Sequence, residues 1–582
     1  MFRELKKLNW FLKERALHYA AAITVLMLTN LVAVLPPLII GKAIDSISAE
    51  GMSAALLYRL AGGLLLVAAA DYLCSFIWTF KLFENAIIVE KLLCVRMMKK
   101  ILSMPKTFFE KFGAGDLMTR ASSDIEAINA FMGFGVLAFL DSIFYLAAVI
   151  AVMGIAISWK LTLISILPLP IVAFMTNYAG RFIHRFFTAR QEAFSRMSEQ
   201  ALEYINGIRV LRSYVLEEQT MKEFEESTKE VYQKSLLTEL VSGSFWPITH
   251  IFIGISYALA IGYGSRMILG GDLTAGDLTA FNVYLGYLVW PMFAMGEFVN
   301  VAERGNTSIK RVYEVLDEED HQDKKELRKL SGEAGDIEFC AYGFSYPLSD
   351  FGNLEGIDLR IRKGSTIGIA GKTGSGKTTL IRQLLLEYPQ GEGELCIGKI
   401  PLREIERESL MKKIGYVSQD HILFSKSIKE NILMGKEDAQ EAELDEVIRL
   451  ADLSRDIAQF SRGKDTPVGE RGIAISGGQK QRISIARALI KDPEILILDD
   501  ALSAVDARTE ARIIRNIREN RKDKTTIIVS HRLSAMKHAD EIIVLEEGRI
   551  AERGKHEALM SAKGWYASQY KVQELEEKGN EA

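Results

Sequence analysis

Hydrophobic and polar positions divide this chain near residue 302. All its apolar runs of membrane-crossing length lie before Ala302, and none follows it. A helix needs about 20 apolar residues at ~1.5 Å each to cross a bilayer. Ala16 to Gly41 is free of Asp, Glu, Lys and Arg, which predicts a first span, bent at Pro36-Pro37. Further spans are expected at Ala55 to Phe80, Phe131 to Ser158, Leu161 to Ala179, Phe245 to Ile268 and Leu278 to Val301. The segment after span 2 carries Lys81, Lys91, Arg96, Lys99, Lys100, Lys106, Lys111 and Arg120, whereas the turn after span 3 offers only Lys160. Basic loops stay inside, so the long loops and both termini are expected in the cytoplasm of a plasma membrane protein.

Those loops, Lys81 to Ala130 and Gly180 to Ser244, are helically patterned and longer than a connection requires, so the spans are expected to run on beyond the membrane. Phe108 to Arg120 breaks its helix at Gly113-Ala114-Gly115 and is expected to restart at Asp116. Ser213 to Glu218 precedes a further amphipathic piece. Such short helices at loop tips read either as docking elements for a soluble domain or as plain helix turns.

Acidic residues at membrane depth are costly and face a bundle interior or water. Asp71, Asp141 and Glu297 therefore read either as lining a cavity that favours cationic amphipathic compounds or as interhelical hydrogen-bond partners. His250 reads as structural. Phe76, Trp78, Tyr145, Trp246, Tyr284, Tyr287 and Trp290 read as packing or interface aromatics with some capacity to stack on flat substrates.

Beyond Glu303 the pattern turns polar, with Asp317-Glu318-Glu319-Asp320 and Lys324-Lys325-Glu326 marking a linker. The resulting division is 1–320, a linker 321–335, and 336–582. A β-rich start (Ile337, Phe339, Phe344, Tyr346) leads to the strand Thr366 to Ala370, then Gly371-Lys372-Thr373-Gly374-Ser375-Gly376-Lys377-Thr378-Thr379, then a helix. The spacing is that of a phosphate-binding loop: glycines bare backbone N–H groups, Lys377 reaches the β/γ-phosphates, and the Thr378 hydroxyl joins a Mg²⁺ shell. Gln419 ends a short strand within reach of Mg²⁺ or a water. Ser476-Gly477-Gly478-Gln479 opens a second helix suited to an anion. One nucleotide has no obvious use for both helix starts, which points to a dimer with shared sites. Ile495 to Leu498 is wholly apolar and ends in Asp499-Asp500, as expected of a doubly buried strand whose carboxyl end meets the ligand. Asp499 is the Mg²⁺-side carboxylate and Asp500 stands where a general base for water belongs. Asp506 follows, and His531 ends the next apolar strand. Tyr346 reads as an adenine-stacking ring or as a sheet aromatic.

The 582 residues exceed what one core can bury. A net charge of -4 with 25% charged residues looks soluble only because the two halves average out. The basic residues of 336–582 are interspersed with acids, without an aromatic-basic platform, which argues against nucleic acid. Cys74, Cys94, Cys340 and Cys396 form no C-x-x-C pair and read as reduced thiols. The apolar run after Ala16 is too long for a signal-peptide core and is expected to remain as a span.

Taken together, these motifs resemble the ATP-binding cassette exporters over nearly the whole chain. The resemblance implies a six-helix all-α transmembrane domain of the type IV class, then an α/β P-loop nucleotide-binding domain, using ATP and Mg²⁺. It makes Phe108 to Arg120 the first intracellular loop, Glu217-Glu218 the acidic stretch of the second, and Tyr346 the adenine-stacking residue. It also makes His531 the switch on the γ-phosphate and Thr466 to Gly472 a segment that meets the loop-tip helices. One departure is informative: the residue after the Mg²⁺ carboxylate is usually Glu and here is Asp500. A misplacement of ~1 Å costs on the order of a hundredfold when a water must be positioned, so slow hydrolysis is expected at this loop. That pattern is similar to one subunit of heterodimeric bacterial multidrug exporters, whose partner carries the catalytic Glu. A homodimeric exporter, or an ATP-gated channel or sensor on the same frame, are the rival readings.

Overall fold

The computed structural model describes residues 3–48, 53–318, 327–347, 349, 351–469 and 475–581; for 172–184, 245–246 and 577–581 it describes the backbone course only. Two compact units emerge: Met1–Met104 with Phe112–Glu319, and Pro105–Lys111 with Asp320–Ala582.

The first unit is helical throughout. Among the described residues, Ala16–Ser48, Ala54–Ser103, Ala114–Ile166, Glu217–Leu269 and Ala275–Leu316 are long and apolar enough to cross a membrane. The expected fourth span falls on Trp159–Ile166 and Leu169–Asn206, with the side chains of 172–179 outside the described residues. The first span breaks at Val34, just before Leu35-Pro36-Pro37, because proline lacks the N–H that continues a helix. The long loops are helical extensions of the spans: Ala54–Ser103 is 50 residues and Glu217–Leu269 is 53. The loop-tip helix restarts at Ala114 rather than Asp116, since extended Gly113 (ψ 150°) caps it and places Asp116 in the favourable first turn.

Three contacts hold the bundle at different depths. Asp45 accepts from Thr274 Oγ1 and Gly276 N, both at 2.7 Å, where Gly276 lies so close to Gly41 that a Cβ would strike its carbonyl oxygen. Asp141 is buried and accepts from Asn30 Nδ2 at 3.1 Å and Trp290 Nε1 at 3.0 Å, tying three spans together. At the far end Arg120 pairs with Asp116 (2.8 Å) and Glu314 (3.0 Å), and Arg311 bonds Asp116 (2.9 Å). The N-terminal segment is part of this unit: Leu8 and Phe11 are fully buried, Trp10 Nε1 donates to Tyr313 OH at 2.8 Å, and Lys7 pairs with Asp317 at 3.0 Å.

The second unit has two sheets. Antiparallel β1 (Ile337–Phe344), β2 (Leu354–Ile361), β4 (Glu392–Ile397) and β5 (Ile400–Pro401) run in the order β2-β1-β4-β5. The other sheet contains β3 (Thr366–Gly371), β6 (Ile414–Val417), β7 (Ile495–Asp499), β8 (Thr525–Val529), β9 (Glu541–Glu546) and β10 (Arg549–Gly554), ordered β10-β9-β3-β8-β7-β6. β3, β6, β7, β8 and β9 are mutually parallel, so their carboxyl ends share one edge. Every residue of β7 and β8 is buried, which explains why Ile495 to Leu498 and Ile527 to Val529 are apolar without alternation. One apolar core lies around β1–β3 and the helix after Gly376; a second collects Leu444, Val447, Ile483 and Leu498 around the helix Gly477–Leu489. The segment Lys106–Lys111 belongs to this unit, with buried Phe108, an ion pair from Lys106 to Glu387 at 3.5 Å, and a hydrogen bond from Tyr388 OH to Glu110.

Candidate functional site

The phosphate loop is a turn that only glycine allows. Gly371, Gly374 and Gly376 have φ of 145°, 83° and 99°, and a Cβ on Gly371 would strike Leu545 O and Ser375 Oγ. The helix Lys377–Leu384 therefore starts without a side-chain cap, its first N–H groups left for a ligand. Lys377 is buried and its Nζ donates to Gly371 O at 2.9 Å and Lys372 O at 2.7 Å. Burial lowers its pKa, while the negative charge of Asp499 and Asp500 works the other way. Ser375 Oγ is buried without a partner among the described residues, a polar atom aimed into the loop; Thr373 is exposed.

Strand β7 delivers the acids. Asp499 is 1% exposed and accepts from Thr378 Oγ1 at 3.3 Å and Tyr416 OH at 3.5 Å. Burial pushes its carboxyl up, a tendency the Thr378 bond opposes and neighbouring Asp500 reinforces. A hydroxyl and a buried carboxylate facing each other fit a hard cation such as Mg²⁺. Asp500 leaves the strand in the left-handed region (φ 49°), its N–H held by Val529 O at 2.8 Å. Asp tolerates that conformation through its short polar side chain.

The remaining motif residues sit on the same sheet edge or beside it. Gln419 is exposed two residues past β6, and His531 is exposed two past β8. Tyr346 lies past the end of β1 rather than within the sheet. Its hydroxyl meets Thr379 Oγ1 at 3.1 Å and accepts from Arg382 at 3.2 Å, which ties the ring to the helix after the phosphate loop. Ser476 accepts from Gln479 N at 3.3 Å while Gln479 Oε1 accepts from Ser476 N at 2.9 Å, a reciprocal cap on the helix Gly477–Leu489. Gly478 faces Ala504 O so closely that a Cβ would sit 3.0 Å from it. Asp506 caps the helix Ala507–Asn520, accepting from Thr509 N at 3.0 Å, a bond that holds its carboxyl below the usual range. Of Thr466 to Gly472, residues 470–472 lie outside the described residues.

Several neighbours were not legible in the sequence. His421 has φ 41° and both ring nitrogens buried without a partner among the described residues; burial lowers its pKa against the opposing charges of Asp500 and Asp420. Arg532 reaches Val505 O (2.6 Å), Glu510 Oε2 (2.8 Å) and Ser503 O (3.1 Å), fastening the turn after β8 to the loop before Asp506. Gln481 fastens that loop from the other side, through Ser503 Oγ at 3.0 Å and Ala504 N at 2.9 Å. A polar side chain five positions into an otherwise motif-rich helix was the only available signal for Gln481.

Comparison with known proteins identifies the family. The family model for the ABC transporter transmembrane region matches residues 19–292, and that for the ABC transporter cassette matches residues 354–503. The chain is 47% identical to a probable multidrug resistance ABC transporter ATP-binding/permease protein, YheI, of Bacillus subtilis, covering 99% of this chain and 98% of the relative. It is 36% identical to the multidrug resistance-like ATP-binding protein MdlA of Escherichia coli, over 99% and 97% of the two chains. A solved bacterial Atm1-family ABC exporter with ATP bound superposes with a TM-score of 0.79 at 25% identity, covering 97% of this chain and 99% of that one. The chain belongs to the ABC exporters: a multi-pass membrane transporter with its transmembrane region and ATP-hydrolysing cassette in one polypeptide, exporting its substrate with ATP and Mg²⁺.

Proposed function

We propose that this chain is one half of a heterodimeric multidrug exporter, and that its own phosphate loop binds ATP durably but hydrolyses it slowly. Residues 1–320 form the transmembrane domain, 321–335 the linker and 336–582 the cassette, with cassette and termini cytoplasmic. Asp500 carries the reading: its carboxylate is one methylene shorter than Glu on a backbone anchored to Val529 O, so a water at the γ-phosphate is held poorly. Lys377, the loop N–H groups and Thr373 to Thr379 hold the phosphates; Tyr346 stacks on adenine; Thr378, Asp499 and Gln419 hold the cation; His531 meets the γ-phosphate. Bound Mg²⁺ supplies charge neutralisation across the phosphate oxygens. Ser476, Gly477, Gly478, Gln479 and Asp506 complete the partner's site, where a Glu activates water. Two bound nucleotides close the cassettes and turn the spans outward, and hydrolysis at the partner's site resets them.

The substrates are hydrophobic or cationic amphipathic compounds taken from the bilayer, in keeping with relatives named for multidrug resistance. Asp141 is committed to Asn30 and Trp290, which leaves half-buried Asp71 and exposed Glu297 as the acidic groups available to a cation. The test is to purify this chain alone and with its native neighbours and measure substrate-stimulated ATPase. In the assembled pair Asp500→Glu raises turnover several-fold and Asp500→Ala changes it little. A large loss with Ala, or full activity of the chain alone, supports the homodimeric exporter instead.

A further inference from the structure

After β8 the chain turns through Ser530, His531 and Arg532 into the short helix Leu533–Met536. A residue some forty positions further on brackets that turn. Gln573 Nε2 donates to His531 O at 2.7 Å, and Gln573 Oε1 accepts from Leu533 N at 2.9 Å. One carboxamide thus engages the backbone on both sides of Arg532, the residue that reaches the loop before Asp506.

The helix that presents Gln573, Trp565–Glu581, is firmly seated. Tyr566 is fully buried and packs in one apolar cluster with Leu533, Met536 and Leu559. Its hydroxyl meets His556 Nδ1 at 2.9 Å, and Glu552 accepts from Trp565 N at 2.5 Å. Gln573 lies seven residues after Tyr566, two helical turns along the same face, so the buried tyrosine aims it.

We propose that Gln573 is a positioning residue for ATP hydrolysis. The C-terminal helix, through this carboxamide, sets the turn that carries His531 and so the place where His531 meets the γ-phosphate. The inference rests on the role given to His531 above.

The test follows hydrolysis at this chain's own loop, as the part of ATP turnover that Asp500→Glu adds to the full assembled transporter, in single-turnover and steady-state assays. Gln573→Met keeps the shape and removes both bonds; loss of hydrogen bonds of this kind predicts an own-loop kcat about three- to tenfold lower. KM for ATP and the thermal unfolding midpoint stay unchanged. Gln573→Glu keeps only the bond to Leu533 and lowers kcat by at least as much, and it carries the comparison if the Met variant does not assemble. In a His531→Ala background the Gln573 substitution adds no further loss. An unchanged kcat in both Gln573 variants, an equal loss in the His531→Ala background, or a loss that tracks a lower unfolding midpoint would overturn the proposal. If His531→Ala itself leaves hydrolysis intact, the role of His531 is what has failed.

Discussion

The two glycine-flanked helix starts of the cassette are built in opposite ways. At Lys377 the preceding Gly376 is left-handed (φ 99°), no side chain caps the helix, and a buried ammonium is held on two backbone carbonyls. At Gly477 the preceding residue is extended, and Ser476 and Gln479 cap each other reciprocally. Gln479 also donates to Asp456 at 2.9 Å, which pairs in turn with Arg482 at 2.7 Å. The first terminus is strained, with N–H groups left over, and gains stability from a phosphate. The second is complete in itself and presents a finished surface, which is what the role proposed for it beside another chain's nucleotide requires.

Substitutions at each terminus test this contrast. The largest effect is expected from Lys377→Ala, which removes the one buried cation of the loop and weakens ATP binding at this chain's site by roughly a hundredfold or more. Nucleotide titration of the variant checks it, and near-normal affinity would remove the asymmetry. Gly371→Ala comes next: the added Cβ meets Leu545 O at a φ of 145°, which costs at least ~2 kcal/mol and lowers the cassette's thermal midpoint. Ser476→Ala is the mildest, a lost cap worth about 1 kcal/mol. Binding at this chain's own loop is unchanged, while turnover of the assembled transporter falls. If own-loop affinity falls with turnover, the Ser476 helix serves its own chain and the contrast fails.

Some elements were legible because their physics is local. The phosphate loop needs its glycines within six positions, and the Ser476–Gln479 cap closes over three; a span declares itself by twenty apolar residues in a row. Where several local signals compete, residue type alone misplaces an element's boundary. The helix start at Ala114 was masked by two glycines and an attractive Asp116, and Pro36-Pro37 marked the break that the chain takes at Val34. Asp141 was legible as an acid at membrane depth but not as a partner of Asn30 and Trp290, because those residues lie 111 and 149 positions away. Lys106 and Glu110 likewise meet Glu387 and Tyr388 from 281 and 278 positions away.

The amino-acid sequence by itself determined which half of this chain is apolar enough for a membrane, where the spacing of a phosphate-binding loop lies, and that the acid after Asp499 is short by one methylene. Each follows from residue type and spacing over less than about 25 positions. Tertiary structure alone decided which carboxylates are already committed, which helix start is self-capped in fact, and that a glutamine near the C-terminus holds the His531 turn. Those depend on which distant backbone groups arrive within hydrogen-bond reach, and no local pattern encodes that arrival.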